Sequence, residues 1–150
     1  MERNTKHKRT RLISRFINFW IFCYMSQTDK QKIGAWGEEV AVRMLKEKGY
    51  EIADRNFETR EGEIDIIAWH NKPYFGKTLC FVEVKTRGGE DGSAERATGA
   101  EKLGRMKQAA IAYCLRNNIQ RETTAIQFEH VSVYGSPKGL RDVRHYEIPV

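Results

Sequence analysis

Two short apolar segments of the sequence carry charged side chains at positions where burial would be costly. The first contains Glu63 and Asp65 among isoleucines, and the second contains Glu83 and Lys85 among valines. A charge within an apolar strand needs a partner or a bound cation, because desolvation disfavours an isolated ion. We therefore consider both segments as parts of one chemical site.

The side chains of these segments suit a divalent cation. Carboxylate and carbonyl oxygens are the ligands that Mg²⁺ or Mn²⁺ prefers, and Asp65, Glu83 and the Val84 carbonyl would supply them on adjacent strands. Lys85 would reach the same space, where its ammonium can orient an attacking water and offset charge on a phosphodiester. The pattern predicts a site for metal-assisted phosphodiester hydrolysis.

An ordinary buried ion pair is the competing interpretation of the same residues. A single Glu-x-Lys pair, such as Glu83 with Lys85, is typical of a salt bridge that only specifies strand register. Two acidic pairs in two otherwise apolar strands favour a functional site.

Apolar periodicity predicts the elements that position these side chains. Helical spacing covers 28–49 and 98–117, and short apolar runs indicate strands near 50–53, 64–69, 78–86, 126–133 and 143–148. These elements predict one small α/β domain over residues 28–150, with a central mixed sheet of about five strands flanked by helices, in the order α-β-β-β-α-β-β. Three glycines within 87–93 predict a mobile loop after the third strand.

The alternation of side chains in a strand predicts which of them share a face. In the second strand, Glu63, Asp65 and Ile67 are expected on one face, with Ile64 and Ile66 on the other. The third strand is expected to place its Glu and Lys on one face in the same way. One face of the sheet is therefore predicted to be acidic.

The first predicted helix contains two glycines and an acidic pair. Gly34 and Gly37 each cost a helix about 1 kcal/mol relative to alanine, so they predict a close approach by another part of the backbone. Glu38 lies at one edge of the apolar stripe and Glu39 at the other, so either could face the sheet.

The charge of the chain is concentrated at its start. The chain has 150 residues and a net charge of +6, but residues 1–24 hold six basic residues and one acid. The remainder is nearly neutral, so contacts to nucleic acid would depend on local cations rather than on a long-range field. The candidates nearest the predicted site are Arg55, Arg87, Lys102 and Arg105.

Residues 1–27 form a basic and aromatic extension that is predicted to lie outside the fold. Three interpretations remain open: an upstream stretch translated from a start codon set too early, which would make Met25 the true start; a basic arm for membrane surfaces or nucleic acid; and an uncleaved targeting segment. No apolar run is long enough to span a membrane. Three widely spaced cysteines indicate neither a disulfide framework nor a zinc site, which favours a cytoplasmic location.

A family resemblance emerges at these motifs. The chain resembles the YraN-like family of uncharacterised bacterial proteins, which in turn resembles archaeal Holliday junction resolvases within the restriction-endonuclease-like superfamily. The motifs that carry the resemblance are Gly34-x-x-Gly37-Glu38-x-x-Ala41, Gly49-Tyr50, Arg55-Asn56, Gly62-Glu63-Ile64-Asp65-Ile66-Ile67 and Phe81-Val82-Glu83-Val84-Lys85-x-Arg87.

The resemblance implies roles for four side chains. Asp65 corresponds to the superfamily acid, Glu83 and Lys85 to the Glu-x-Lys pair, and Glu38 to the helix-borne acid of the resolvases. It implies a Mg²⁺- or Mn²⁺-dependent endonuclease acting on DNA, with branched or repair intermediates as expected substrates. A two-fold dimer would suit a symmetric four-way junction. The alternatives are a non-catalytic nucleic-acid- or protein-binding module of the same fold, and an accessory protein of the membrane surface.

Aromatic residues flank the link between the second and third predicted strands. Trp69, His70 and Tyr74 could stack on bases, but packing within the hairpin is the favoured interpretation. His130 and His145 have no metal-ligand spacing and are interpreted as structural.

Overall fold

A computed structural model describes residues 28–88 and 99–149. The elements are α1 (Asp29–Glu47), β1 (Glu51–Glu58), β2 (Glu63–Lys72), β3 (Gly76–Arg87), α2 (Ala100–Arg116), β4 (Ala125–Ser136) and β5 (Gly139–Ile148). The predicted α/β class and element order are confirmed, although several strands are longer than the apolar runs indicate. The N-terminal extension and residues 89–93 of the predicted loop lie outside the described residues.

The five strands form one mixed sheet in the order β1-β2-β3-β4-β5. β3 and β4 are parallel, whereas the other neighbouring strands are antiparallel. A parallel pair needs a crossover connection, and α2 lies in that connection between β3 and β4. Among the described residues, no helix is long and apolar enough to cross a membrane.

Apolar side chains cover both faces of the sheet. One layer, which contains α1 residues, is formed by Val40, Ala41, Val42, Leu45, Tyr50, Ile66, Ala68, Cys80, Val82, Val131 and Val133. The other, which contains α2 residues, is formed by Phe57, Ile64, Ile67, Leu79, Phe81, Met106, Ala109, Ala110, Tyr113, Cys114 and Phe128. Burial on both faces explains why β2 and β3 are nearly continuous apolar runs.

The predicted alternation in β2 is wrong at its first residues. Ile66 packs in the α1 layer and Ile64 in the α2 layer, although they are two residues apart. In the paired strand β1, Arg55 likewise contacts Glu39 of α1 while Phe57 packs in the α2 layer. The residue between these two is Asn56, whose φ of 50° lies in the left-handed region. This local twist moves one end of the β1–β2 pair from one layer to the other.

The two helical glycines behave differently. A Cβ at Gly37 would overlap the Thr86 side chain of β3, so any residue larger than glycine at this position forces Thr86 to move. A Cβ at Gly34 would meet nothing within 4 Å, so the predicted close approach is wrong there. The Gly37 contact holds α1 tightly against the end of β3.

Because only Gly37 is in close contact with β3, Gly34→Ala can serve as the control for Gly37→Ala. We expect Gly37→Ala to lower the free energy of unfolding by roughly 2 kcal/mol, because Thr86 must move to admit the methyl group. Gly34→Ala should raise it by up to about 1 kcal/mol, because alanine favours the helix and finds open space. Urea titrations of both variants would measure these changes, and equal effects would contradict the contact.

Candidate active site

The site lies where β2 and β3 separate. Their paired residues run from Lys72 opposite Gly76 to Ile66 opposite Val82, and no later pair occurs between the two strands. Beyond that point β2 stays paired with β1, while β3 stays paired with β4 as far as Arg87. The two strands therefore border a cleft, and Asp65 and Glu83 are the next residues on its two sides.

Asp65 takes the place of a backbone partner in this cleft. Its Oδ2 accepts a hydrogen bond of 2.6 Å from the Val84 N–H, a group that would otherwise have no partner on that side of β3. Burial raises the pKa of Asp65, and the Val84 N–H and the Lys102 charge only partly oppose this. The carboxyl is thus held in place by the main chain of the neighbouring strand.

Glu83 faces Asp65 across the cleft. The two carboxyl groups are close enough for each to shift the pKa of the other, and Glu83 is only 5% exposed. Its Oε2 lies 3.2 Å from Lys102 Nζ but has no hydrogen-bond partner of good geometry among the described residues. Burial and the nearby Asp65 charge raise the pKa of Glu83 to about 7. Two buried carboxylates this close repel each other when both are ionised, so a shared proton or a bound cation stabilises the pair.

Lys85 and Lys102 bring positive charge to the two carboxyls. Lys85 is half-buried two residues beyond Glu83, and burial lowers its pKa against the opposing influence of the Glu83 charge. Lys102, from the first turns of α2, lies 3.3 Å from Glu63 Oε1 and 3.2 Å from Glu83. Sequence reasoning placed Lys102 near nucleic acid and missed its contact with Glu83, because only the crossover of α2 brings them together.

α1 brings Glu38 to the same cleft from the opposite side. Burial raises the pKa of Glu38, and the charge of Asp65 raises it further. An Asn56 hydrogen bond and Arg55 oppose this shift, with Arg55 Nη2 at 3.9 Å from Glu38 Oε2. The structure therefore brings Glu38, Asp65, Glu83 and Lys85 into electrostatic contact, and Arg55 joins α1 to β1.

The other predicted nucleic-acid contacts lie around this cleft. Arg105 pairs with Glu101 on the exposed side of α2. Arg87 is exposed and donates to the Thr86 carbonyl next to it. A groove of about 430 Å³ runs beside Lys102, lined by Glu58, Thr59, Arg60, Glu61, Gly62, Glu63, Lys102 and Arg105. Cations and acids both line it, so its charge is mixed.

The donor set of the cleft fits a hard divalent cation. Within the part of the chain that is described, no group of three His, Cys, Asp or Glu side chains converges as a closed metal cage. Mg²⁺ commonly uses only one or two carboxylates and completes its shell with water and substrate phosphate. Asp65 and Glu83 supply two carboxylates, and Glu83 Oε2, which contacts Lys102 as an ion pair but accepts no hydrogen bond of good geometry, is an oxygen that a cation could take as a ligand.

A second polar cluster lies deep in the α1 layer. The fully buried Glu129 contacts Lys72 Nζ at 2.6 Å and His145 Nε2 at 2.8 Å, and Tyr50 donates to it at 3.2 Å. The desolvation of Glu129 is outweighed by these partners, which lower its pKa. His145 thus has a structural contact, as interpreted from the sequence, whereas Glu129 has no sequence signal because its partners are distant in the chain.

The fold and cleft define a class of protein: a single α/β domain with paired carboxyls at the point where two central strands of a mixed sheet separate. The chain belongs to the uncharacterised protein family UPF0102, whose model matches residues 37–133. The expected membership in the YraN-like family is thereby confirmed. The matched residues include Glu38, Asp65, Glu83 and Lys85.

Proteins of this family from distant bacteria are similar over most of their length. The UPF0102 protein of Syntrophomonas wolfei is 40% identical over 104 residues, which cover 69% of this chain and 84% of that protein. That of a Parafrankia species is 40% identical over 116 residues, covering 77% and 92%. That of Chlorobaculum tepidum is 36% identical over 121 residues, covering 79% and 87%.

Proposed function

We propose that this protein is a metal-dependent endonuclease that hydrolyses phosphodiester bonds in DNA. The observation that carries the proposal is the contact between Asp65 and Glu83 in a cleft of the sheet, with a buried carboxylate oxygen that lacks a hydrogen-bond partner. Such crowding raises the free energy of the ionised site unless a cation joins it, so the fold maintains an arrangement that favours cation binding.

Each side chain has a distinct part in the proposed reaction. Asp65 and Glu83, with the Val84 carbonyl, would hold Mg²⁺ or Mn²⁺, and the bound metal would supply Lewis-acid polarisation of the phosphodiester. Lys85 orients the attacking water and offsets charge that develops on the phosphate. Glu38, whose pKa is raised by burial, accepts a proton from that water or supports its position.

The expected substrates are branched or repair intermediates of DNA, as the resolvase resemblance implies. Arg55, Arg87, Lys102 and Arg105 are the proposed phosphate contacts. A two-fold dimer would present two clefts to a symmetric four-way junction.

A binding module without catalysis is the second candidate, and one contact favours it. Lys102 Nζ lies 3.2 Å from Glu83 and 3.3 Å from Glu63, so an internal cation already offsets part of the acidic charge. In that case the carboxylates would stabilise strand and helix positions, and the protein would bind nucleic acid or protein without turnover.

A cleavage assay separates the two candidates. We expect the full chain to cut at least one of four labelled DNAs (linear duplex, single strand, flap and four-way junction) when Mg²⁺ or Mn²⁺ is added. EDTA should abolish the cutting, as should Asp65→Asn, which retains an oxygen that can accept the Val84 hydrogen bond. Binding without cutting on all four, by protein with a cooperative melting transition, would favour the binding module.

A further inference from the structure

The turn between β2 and β3 presents two adjacent aromatic side chains to solvent. Tyr74 has a relative exposure of 103% and Phe75 of 74%, the highest among the large apolar residues described. The expected packing within the hairpin agrees with the structure for Trp69, which packs against the α2 layer, and for His70, which stacks on Tyr50 at 4.0 Å. It is wrong for Tyr74. We call Tyr74 and Phe75 the aromatic tip.

The aromatic tip is unfavourable for the fold on two counts. Tyr74 has φ of 69°, a left-handed conformation that glycine or asparagine adopts more readily. Both rings also expose apolar surface that folding does not remove from water. A left-handed tyrosine and two exposed aromatic rings in one turn indicate that these side chains serve a function other than stabilising the fold.

The charged residues next to the aromatic tip favour a negatively charged partner. From Asn71 to Lys77 the chain has two lysines and no acid. Lys72 is held by Glu129 and Glu147, while Lys77 lies over the Trp69 ring at 5.0 Å and remains exposed at the base of the tip. Aromatic rings beside a cation suit the stacked bases and phosphates of a single-stranded nucleic acid.

We propose that the aromatic tip is a stacking platform for unpaired bases. This inference rests on the proposed nuclease function and specifies its substrate class as DNA with a single-stranded segment. Gly76 begins the strand that carries Glu83 seven residues later, a separation of roughly 23 Å along β3. At about 3.4 Å per nucleotide, a stacked strand would span this distance with roughly seven nucleotides.

The test measures binding in EDTA, where cleavage does not contribute. The full chain and the double variant Tyr74→Asn with Phe75→Ser are titrated into fluorescein-labelled oligo-dT of 20 nucleotides and into a blunt duplex of equal length. The double variant should bind the single strand about tenfold more weakly or worse, with less than a twofold change for the duplex. Its melting temperature should not fall, since asparagine tolerates the left-handed turn.

Leu115 provides a matched control, because it is a large apolar residue that is 70% exposed and belongs to α2 rather than to the turn. Leu115→Ser should bind both DNAs as the unaltered chain does. The proposal is overturned if the unaltered chain does not bind oligo-dT, if the double variant binds it equally well, or if Leu115→Ser loses as much. Both proteins are also mixed with phosphatidylserine vesicles. If the double variant keeps its binding to oligo-dT and loses binding to the vesicles, the aromatic tip contacts membranes and the proposal is overturned.

The outcomes also separate this proposal from the nuclease proposal. If the double variant selectively loses single-strand binding and the unaltered chain cuts no DNA, the results support the stacking platform and contradict the nuclease. Cleavage that needs metal, with single-strand binding unchanged in the double variant, would support the nuclease and contradict the platform.

Discussion

Lys85→Ala is expected to lower the rate of DNA cleavage by about 10²- to 10³-fold, the usual effect of removing one preorganised donor from a transition state. The half-buried Lys85 lies close enough to Glu83 and Asp65 for their charges to affect its pKa, so its ammonium is confined to the cleft. It contributes little to binding the cation, because it is positively charged itself. The loss should therefore fall on kcat.

Single-turnover cleavage at saturating Mg²⁺ would measure this effect, alongside Mn²⁺ affinity from calorimetry. Lys107→Ala is the matched control, since Lys107 is an exposed lysine of α2. We expect the control to change the cleavage rate less than twofold and both variants to bind Mn²⁺ like the unaltered chain. A cleavage rate for Lys85→Ala within threefold of the control would contradict the role assigned to Lys85.

Glu83 is expected to make the metal-free protein less stable as the pH rises. Its pKa is raised by burial and by Asp65 from 4.5 to about 7. Between these values the unfolded chain loses the proton while the folded chain keeps it, so the folded state binds more protons and stability falls with increasing pH. The loss levels off above pH 7 and amounts to roughly 3 kcal/mol from this group.

Glu83→Gln should remove this dependence, because the glutamine amide stays neutral and can donate a hydrogen bond to Asp65. We expect the variant to be more stable than the unaltered chain at pH 8 by about 3 kcal/mol, and to differ little from it at pH 4.5. Urea titrations in EDTA at both pH values would measure the difference. Parallel stability curves for the two proteins would show that Glu83 titrates normally.

Divalent cations provide the complementary measurement. A ligand that binds only the folded state stabilises it in proportion to the logarithm of its concentration over Kd. Mg²⁺ or Mn²⁺ should therefore restore the stability of the unaltered chain at pH 8 and leave Glu83→Gln unchanged. Equal stabilisation of both proteins would place the cation somewhere other than the cleft.

Local patterns in the sequence were sufficient for the element order and for the pairing of Asp65 with Glu83. Helical and strand periodicities report which face of each element is buried, and the two acids interrupt apolar runs that are covered on both faces of the sheet. β2 and β3 separate because, beyond Ile66 and Val82, β2 is paired only with β1 and β3 only with β4. A local sequence pattern does not indicate where such pairing ends.

Tertiary contacts account for what the sequence did not reveal. Asn56 carries only a weak signal for its left-handed conformation, since asparagine tolerates it more than most residues, and this twist overturned the simple alternation of Ile64 and Ile66. Lys102 is 19 residues from Glu83 and Glu129 is 57 from Lys72 along the chain. Such pairs become visible only when the strands are assembled.

The hydrogen bond from the Val84 N–H to Asp65 Oδ2 makes one backbone amide an internal spectroscopic probe. The amide proton is deshielded because its nitrogen lies only 2.6 Å from a carboxylate oxygen, and its chemical shift changes when that carboxylate gains a proton or shares its charge with a cation. The Val84 resonance would thus follow the protonation state and occupancy of the cleft in the absence of any DNA. The same contact that fixes the acid in place therefore allows its charge to be observed directly.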